Sequence, residues 1–180
     1  VAIAVVAASI KVLEILETLE KKEYVESHRG FFCLKHRASI LRCRAERSML
    51  AERKYKKALR FAKFLRLIPG VRMIAVCNNL GMNNARDASD IDFFVITKVG
   101  MAWVARFFAA AFAKLFRVRP ERGRTRDTIC LSFFVAEDGL DLRPTLLPRR
   151  ADEESEDVYM TFWIRQIVPL YDAGGEYRKF

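Results

Sequence analysis

Read as hydrophobic and polar positions, the chain changes period several times. Ile10, Val12, Leu13, Ile15, Leu16 and Leu19 recur at helical spacing across residues 10–21, with Ser9 placed as an N-cap. "EYVES" and "FFCLK" then read as two short strands around a turn that contains Gly30. Residues 38–67 contain neither Pro nor Gly, and Pro69-Gly70 ends the stretch, so one long helix or two stacked helices are predicted. "VRMIAVC" (71–77) is a buried strand, residues 78–89 a loop or helix start, and "DIDFFVIT" (90–97) a second strand. Residues 100–117 form an apolar helix and 117–127 a basic loop. "TICLSFFVAEDGLDLRPTLL" reads as a hairpin turning at Glu137-Asp138-Gly139. A polar, acidic stretch, "RRADEESEDVY", follows as a helix start or loop. "VYMTFWIRQIVPLY" reads as a last helix, bent or ended by Pro169.

The early helix followed by a hairpin is the order found at the end of a winged helix-turn-helix; a small α+β appendage is the plainer reading. Three segments result: 1–37 as a truncated winged-helix-like piece, 38–70 as a basic linker helix, and 71–180 as an α/β core whose C-terminus is cut short. The chain starts at Val1 without a Met, so it reads as part of a longer protein.

Composition sharpens this picture in two places. The net charge is +10, and residues 42–66 carry ten Arg and Lys against Glu46 and Glu52. A surplus of that kind suits polyanionic partners, so helix 42–66 is either a solvated basic face or a stripe that faces nucleic acid. Cys33, Cys43, Cys77 and Cys130 are widely spaced with no C-x-x-C pair, which disfavours zinc-ribbon and thioredoxin-type sites. Free thiols point to a reducing, cytoplasmic setting. No membrane span is expected: Arg106 and Lys114 interrupt 100–117, and "VAIAVVAASI" is too short.

The chemistry gathers at "SDIDFF". Alternate residues of a strand share a face, so Asp90 and Asp92 point one way and Ile91 the other. Two carboxylates that close repel and raise each other's pKa. A hard divalent cation relieves this, and magnesium held by carboxylates and substrate phosphates is the common use of such a pair. An acidic strand end in solvent is the alternative. Arg86 is placed to neutralise a triphosphate, whereas Arg72 and Lys98 read as surface cations. His28 and His36 receive no role.

The succession of strand, small turn, polar segment and acid–hydrophobic–acid–hydrophobic strand resembles the nucleotidyltransferase superfamily that includes DNA polymerase beta. "RLIPGVRMIAVCNNLGMNNARDASDIDFFVIT" is especially similar to uncharacterised bacterial nucleotidyltransferase-domain proteins. In those, a winged-helix-like segment and a basic helix precede the catalytic core. The similarity extends to "ICLSFFVAEDGLDL" and "IVPLYDAGGEYRKF". It implies a mixed sheet flanked by helices, with Asp90 and Asp92 as Mg2+ ligands and the turn at Asn78 and Asn79 holding phosphates of a nucleoside triphosphate. It also implies a third carboxylate from a neighbouring strand. Asp141, in Leu140-Asp141-Leu142, is the candidate, with Asp127 and Asp138 as alternatives; Ser132 reads as a core hydroxyl. The family has Gly followed by Gly or Ser where this chain has Asn78-Asn79. Asn tolerates the left-handed backbone, but Gly allows closer approach to a phosphate. The implied activity is transfer of a nucleoside monophosphate to an unknown hydroxyl, weakened by that change. A catalytically inactive nucleotide- or nucleic-acid-binding module is the alternative.

Overall fold

A computed structural model describes residues 2–121, 123–146 and 158–179. The acidic stretch over 149–157 lies outside them. The chain divides into two units, Val1–Glu46 and Arg47–Phe180.

In the first unit, α1 (Ala2–Lys21) runs straight through Ser9, which is therefore not its N-cap. Glu23, with φ of 60°, turns the chain out of the helix. Strands β1 (Val25–His28) and β2 (Phe31–Leu34) form the expected hairpin, pairing Val25 with Leu34 and His28 with Phe31. Its two-residue loop needs positive φ at both positions, and Arg29 (51°) and Gly30 (83°) supply it. Helix α2 (Ser39–Leu65) starts in this unit and continues through the second as one unbroken helix.

The second unit is built on a four-stranded sheet of β3 (Val71–Val76), β4 (Ile91–Thr97), β5 (Ile129–Ala136) and β6 (Val168–Asp172), in the order β5-β4-β3-β6. Strand β3 is antiparallel to β4 and β6, and β4 is parallel to β5. It is a mixed α/β arrangement. The parallel pair requires a crossover, which helix α4 (Ala102–Leu115) provides. Ala105, Ala109 and Ala113, four residues apart, are fully buried on its sheet side. Gly70 (φ 85°) is needed before β3, where an added Cβ would lie 2.8 Å from the Cβ of Met101.

Both faces of the sheet are covered. Ile74, Val76, Ile91, Phe93, Val95 and Ile129 pack with Ala58, Phe61, Ala62 and Leu65 of α2 and with α4. On the other face Met73, Ala75, Cys77, Phe94 and Ile96 pack with Trp163 of α5 (Val158–Arg165) and with Ile167. This explains why β3 and β4 read as continuous apolar runs rather than alternating ones.

Two expectations are corrected. The segment after Gly139 forms no second hairpin strand among the described residues; it bends into a 3-10 turn over Arg143–Thr145. The Asp141 carboxylate accepts the backbone N–H of Arg143 (3.1 Å), and Pro144 has none, so neither Arg143 nor Pro144 has an N–H free to donate to a ladder. Likewise, 168–172 is a strand rather than the end of a helix, and α5 stops at Arg165. Pro169 is accommodated because β6 is an edge strand, and the pairing with β3 shifts register between Ile74 and Ala75.

Candidate metal centre

Strand β4 carries its acids where cover is lightest. Ile91, Phe93, Phe94, Val95 and Ile96 are buried, whereas Asp90 and Asp92 at its opening are half-buried. Burying such side chains stabilises by about 2 kcal/mol each. Two carboxylates at the spacing found here repel by about 1 kcal/mol in water and about 3 kcal/mol at the effective dielectric of a protein surface. The apolar run therefore outweighs the repulsion, and the fold can hold the pair together without a cation.

The third member comes from β5. Parallel pairing sets Asp92 opposite Cys130, and ligand atoms of Asp90, Asp92 and Cys130 all lie within 4.8 Å of one another. Burial, then the neighbouring Asp92 charge, pushes the Asp90 carboxyl above its ordinary range. Burial also raises the Cys130 thiol, and its Sγ lies 2.7 Å from the hydroxyl of Ser132. Ser132 is exposed, so it is not the core hydroxyl expected of it. The two carboxylates suit magnesium. A thiol does not, because magnesium takes oxygen ligands.

The segment leading into Asp90 is fastened to α2. Ser48 accepts from the Asn83 amide (2.9 Å), and Arg47 donates to Asn84 (3.4 Å). Arg53 pairs with Asp87 at 2.9 Å. Lys54 is fully buried, and its ammonium donates to the carbonyls of Asp87 (3.2 Å) and Ser89 (2.6 Å) and to Oδ1 of Asp127 (2.6 Å). Three donors meet three acceptors, the condition on which a buried ammonium is tolerated. Burial opposes ionisation of Asp127, but Lys54, Arg53 and Lys57 outweigh it and hold the carboxyl below its usual range. Part of the basic surplus of α2 thus works inside the unit. Arg53, Lys56, Lys57 and Arg60 line a surface cavity of about 320 Å³.

At the end of β3 the turn residue Asn78 has φ of 53°, the left-handed conformation that Asn was expected to tolerate. It opens the short helix α3 (Asn78–Gly81). Its side-chain oxygen accepts the indole N–H of Trp163 at 2.6 Å, so that oxygen serves packing. Asn79 and Arg86 are exposed, and Arg86 forms no ion pair among the described residues. Gly81 is pressed against α5's exit: a Cβ there would sit 2.3 Å from the Gln166 carbonyl oxygen.

Asp141 is not brought to Asp90 and Asp92. It lies beyond β5, clamped at 2.7 Å by both Nε and Nη2 of Arg143, which holds its carboxyl down at about 2. It lines a separate cavity of about 460 Å³ with Leu140, Met160 and Ile164. Asp127 is committed to Lys54, and Asp138 sits exposed in the turn. Arg72 lies 3.5 Å from Glu137.

Reading the sequence missed Cys130 and Lys54. Cys130 and Ser132 alternate in "ICLSFF", which assigns both to one face of a strand. That signal becomes informative only once β5 is known to pair in parallel with β4. Lys54 differed from its neighbours in falling on the apolar stripe of Ala51, Ala58, Phe61 and Leu65.

No described helix is long and apolar enough to cross a membrane. Compared with known proteins, the chain matches no family model, no curated protein and no solved structure.

Proposed function

We propose that the unit Arg47–Phe180 is a metal-dependent nucleotidyltransferase core that moves a nucleoside monophosphate from a nucleoside triphosphate to a hydroxyl, with pyrophosphate leaving. The observation that carries this reading is the convergence of Asp90, Asp92 and a β5 side chain at one strand mouth, beside the left-handed turn at Asn78. Asp90 and Asp92 would hold the metal, magnesium being the ion the sequence resemblance implies. Asn79 and Arg86 would meet phosphate oxygens. Catalysis of this kind is mostly positioning and charge neutralisation. The fastened loop 83–89 suits positioning, because it fixes Asp90 before any ligand arrives.

A second reading is favoured by two specific observations. The Asn78 oxygen is taken by Trp163, and Asp141 is taken by Arg143. A nucleotide- or nucleic-acid-binding module without catalysis needs neither group, and the exposed Lys56 and Arg60 suit a phosphate backbone. Calorimetry of a nucleoside triphosphate with magnesium or manganese separates the two. The transferase reading expects metal-dependent binding abolished by Asp90→Ala/Asp92→Ala, and pyrophosphate release lost in Asp92→Asn. Salt-dependent nucleic-acid binding that is indifferent to Asp90→Asn, with no triphosphate binding, supports the module and refutes the transferase.

A further inference from the structure

The donor set at the mouth of β4 disagrees with the ion that the carboxylate pair alone suggests. Magnesium takes near-octahedral oxygen ligands and retains water. Here one of three donors is a sulfur, set opposite Asp92 by the β4–β5 register rather than by a chance surface approach. We propose that the Asp90–Asp92–Cys130 group is a zinc-class site, in which a Cys130 thiolate selects a borderline divalent cation over magnesium. The inference deepens the proposed transferase reading and takes its metal position from it.

Four lines of chemistry support it. Thiolate ligands select zinc-class ions, whereas sites for magnesium are built from carboxylate, carbonyl and water. The ligand atoms lie within 4.8 Å of one another. Zinc–oxygen and zinc–sulfur bond lengths imply tetrahedral edges of roughly 3.3–3.8 Å, so side-chain rotation of about an ångström closes the site without moving the strands. Three protein ligands also leave the fourth position open, the pattern of a site that receives water or substrate rather than a closed structural one. Finally, the Ser132 hydroxyl at 2.7 Å is placed to donate to the bound sulfur, the outer-shell support that metal ligands commonly receive.

Cobalt is the probe, because a thiolate–cobalt bond absorbs in the near ultraviolet and a carboxylate–cobalt bond does not. The full chain is used, with exposed Cys43 replaced by Ser to remove its background. Cobalt is expected to produce the sulfur-to-metal absorption. Zinc should displace it one for one, and a large excess of magnesium should not. Cys130→Ser should abolish the absorption and weaken zinc binding by at least about 10-fold, the lower bound of what losing even an outer partner costs. Cys130→Asp should lose the absorption and gain magnesium affinity. Unchanged thermal melting of Cys130→Ser verifies folding, and the Cys130→Asp gain is a result that misfolding cannot produce.

Absorption that survives Cys130→Ser, absent absorption in the parent, or magnesium competing as well as zinc each overturns the proposal. If that happens while triphosphate binding still depends on Asp90 and Asp92, the transferase reading stands alone. If Cys130-dependent cobalt binding occurs without any triphosphate binding, the zinc-class site stands and the transferase reading falls.

Discussion

Replacing Lys54 by Met tests whether the buried ammonium holds the approach to Asp90. The substitution keeps the length of the side chain and removes its charge. It leaves Oδ1 of Asp127 with only Arg53 at 3.5 Å, and removes the side-chain donor from the carbonyls of Asp87 and Ser89. Removing one partner of a fully buried pair costs about 3–5 kcal/mol. Here the Asp127 side chain is 25% exposed and retains Arg53, so the lower half of that range is discounted to about 2 kcal/mol. The Asp87 carbonyl left without a donor adds about 1 kcal/mol, whereas the Ser89 carbonyl keeps the Asp127 N–H at 3.1 Å, and apolar burial of the Met side chain returns about 1 kcal/mol. The net loss is about 2 kcal/mol. For a unit of this size that lowers the melting temperature by roughly 7 °C. The assay is thermal unfolding followed by circular dichroism. Its pH dependence supplies an internal control. Asp127 has a depressed folded-state pKa, so its contribution is present above the unfolded value and disappears as pH falls through the folded one. The gap between wild type and Lys54→Met should be full near neutrality and close below about pH 4. A variant melting within about 2 °C of wild type at neutral pH, less than 1 kcal/mol by the same conversion, refutes the reasoning. So does a gap that persists unchanged in acid.

Two further predictions concern the turn and the acid pair. Gly81→Ala should cost at least about 2 kcal/mol, read from urea midpoints, because its Cβ would meet backbone oxygen at Gln166 rather than a side chain able to move away; wild-type stability in that variant would show that α3 and the 166–168 segment separate easily. Asp90→Asn should raise the melting point of metal-free protein at pH 7, since burial and the Asp92 charge lift the Asp90 pKa and so disfavour the ionised fold. That advantage should shrink as acid protonates the wild-type carboxyl. A lower melting point at pH 7 would mean that Asp90 makes a stabilising contact that outweighs both effects.

The parts of the fold visible in the sequence are those set by local period. The α2 stripe, the apolar runs of β3 and β4, the Arg29-Gly30 hairpin and the shared face of Asp90 and Asp92 each follow from spacing within one segment. The errors occurred where the decision lay in pairing. "VPLYD" is too short for its own period to distinguish helix from strand, and it becomes β6 only because β3 offers an open edge where Pro169 fits. Asp-Gly at 138–139 is a strong local hairpin signal, but Asp141 and Pro144 withhold the backbone groups a returning strand would need. The hydrophobic–acid–hydrophobic pattern around Asp141 is a local feature and points to Asp141. The side chain set beside Asp90 and Asp92 is Cys130, because parallel strands fix which residue faces Asp92, and no local pattern encodes that.

Parallel pairing also accounts for how a metal-capable group arises in a sheet covered on both faces. Along β4 every position after Asp92 is buried, so any charged residue further in would lose its water. Only the strand mouth remains, where β3 ends at Val76 and the chain turns away through Cys77 and Asn78. Cys77 N–H donates to the Asp92 carbonyl at 3.2 Å, and the Ile91 N–H donates to the Thr128 carbonyl at 2.8 Å, so the backbone on both sides of Asp92 is fixed. With the backbone held, only side-chain rotation remains to be ordered when an ion binds, which keeps the entropic cost low. The same constraint limits the choice of β5 partner. A position opposite Asp92 must be small enough to sit beside two carboxylates and must tolerate partial burial. A third carboxylate there would add a further like charge to a pair already destabilised by burial, whereas a neutral thiol adds none until a cation arrives. Cys130 therefore lets the metal-free fold keep Asp90 and Asp92 together at lower electrostatic cost than three acids would, while still presenting a third ligand.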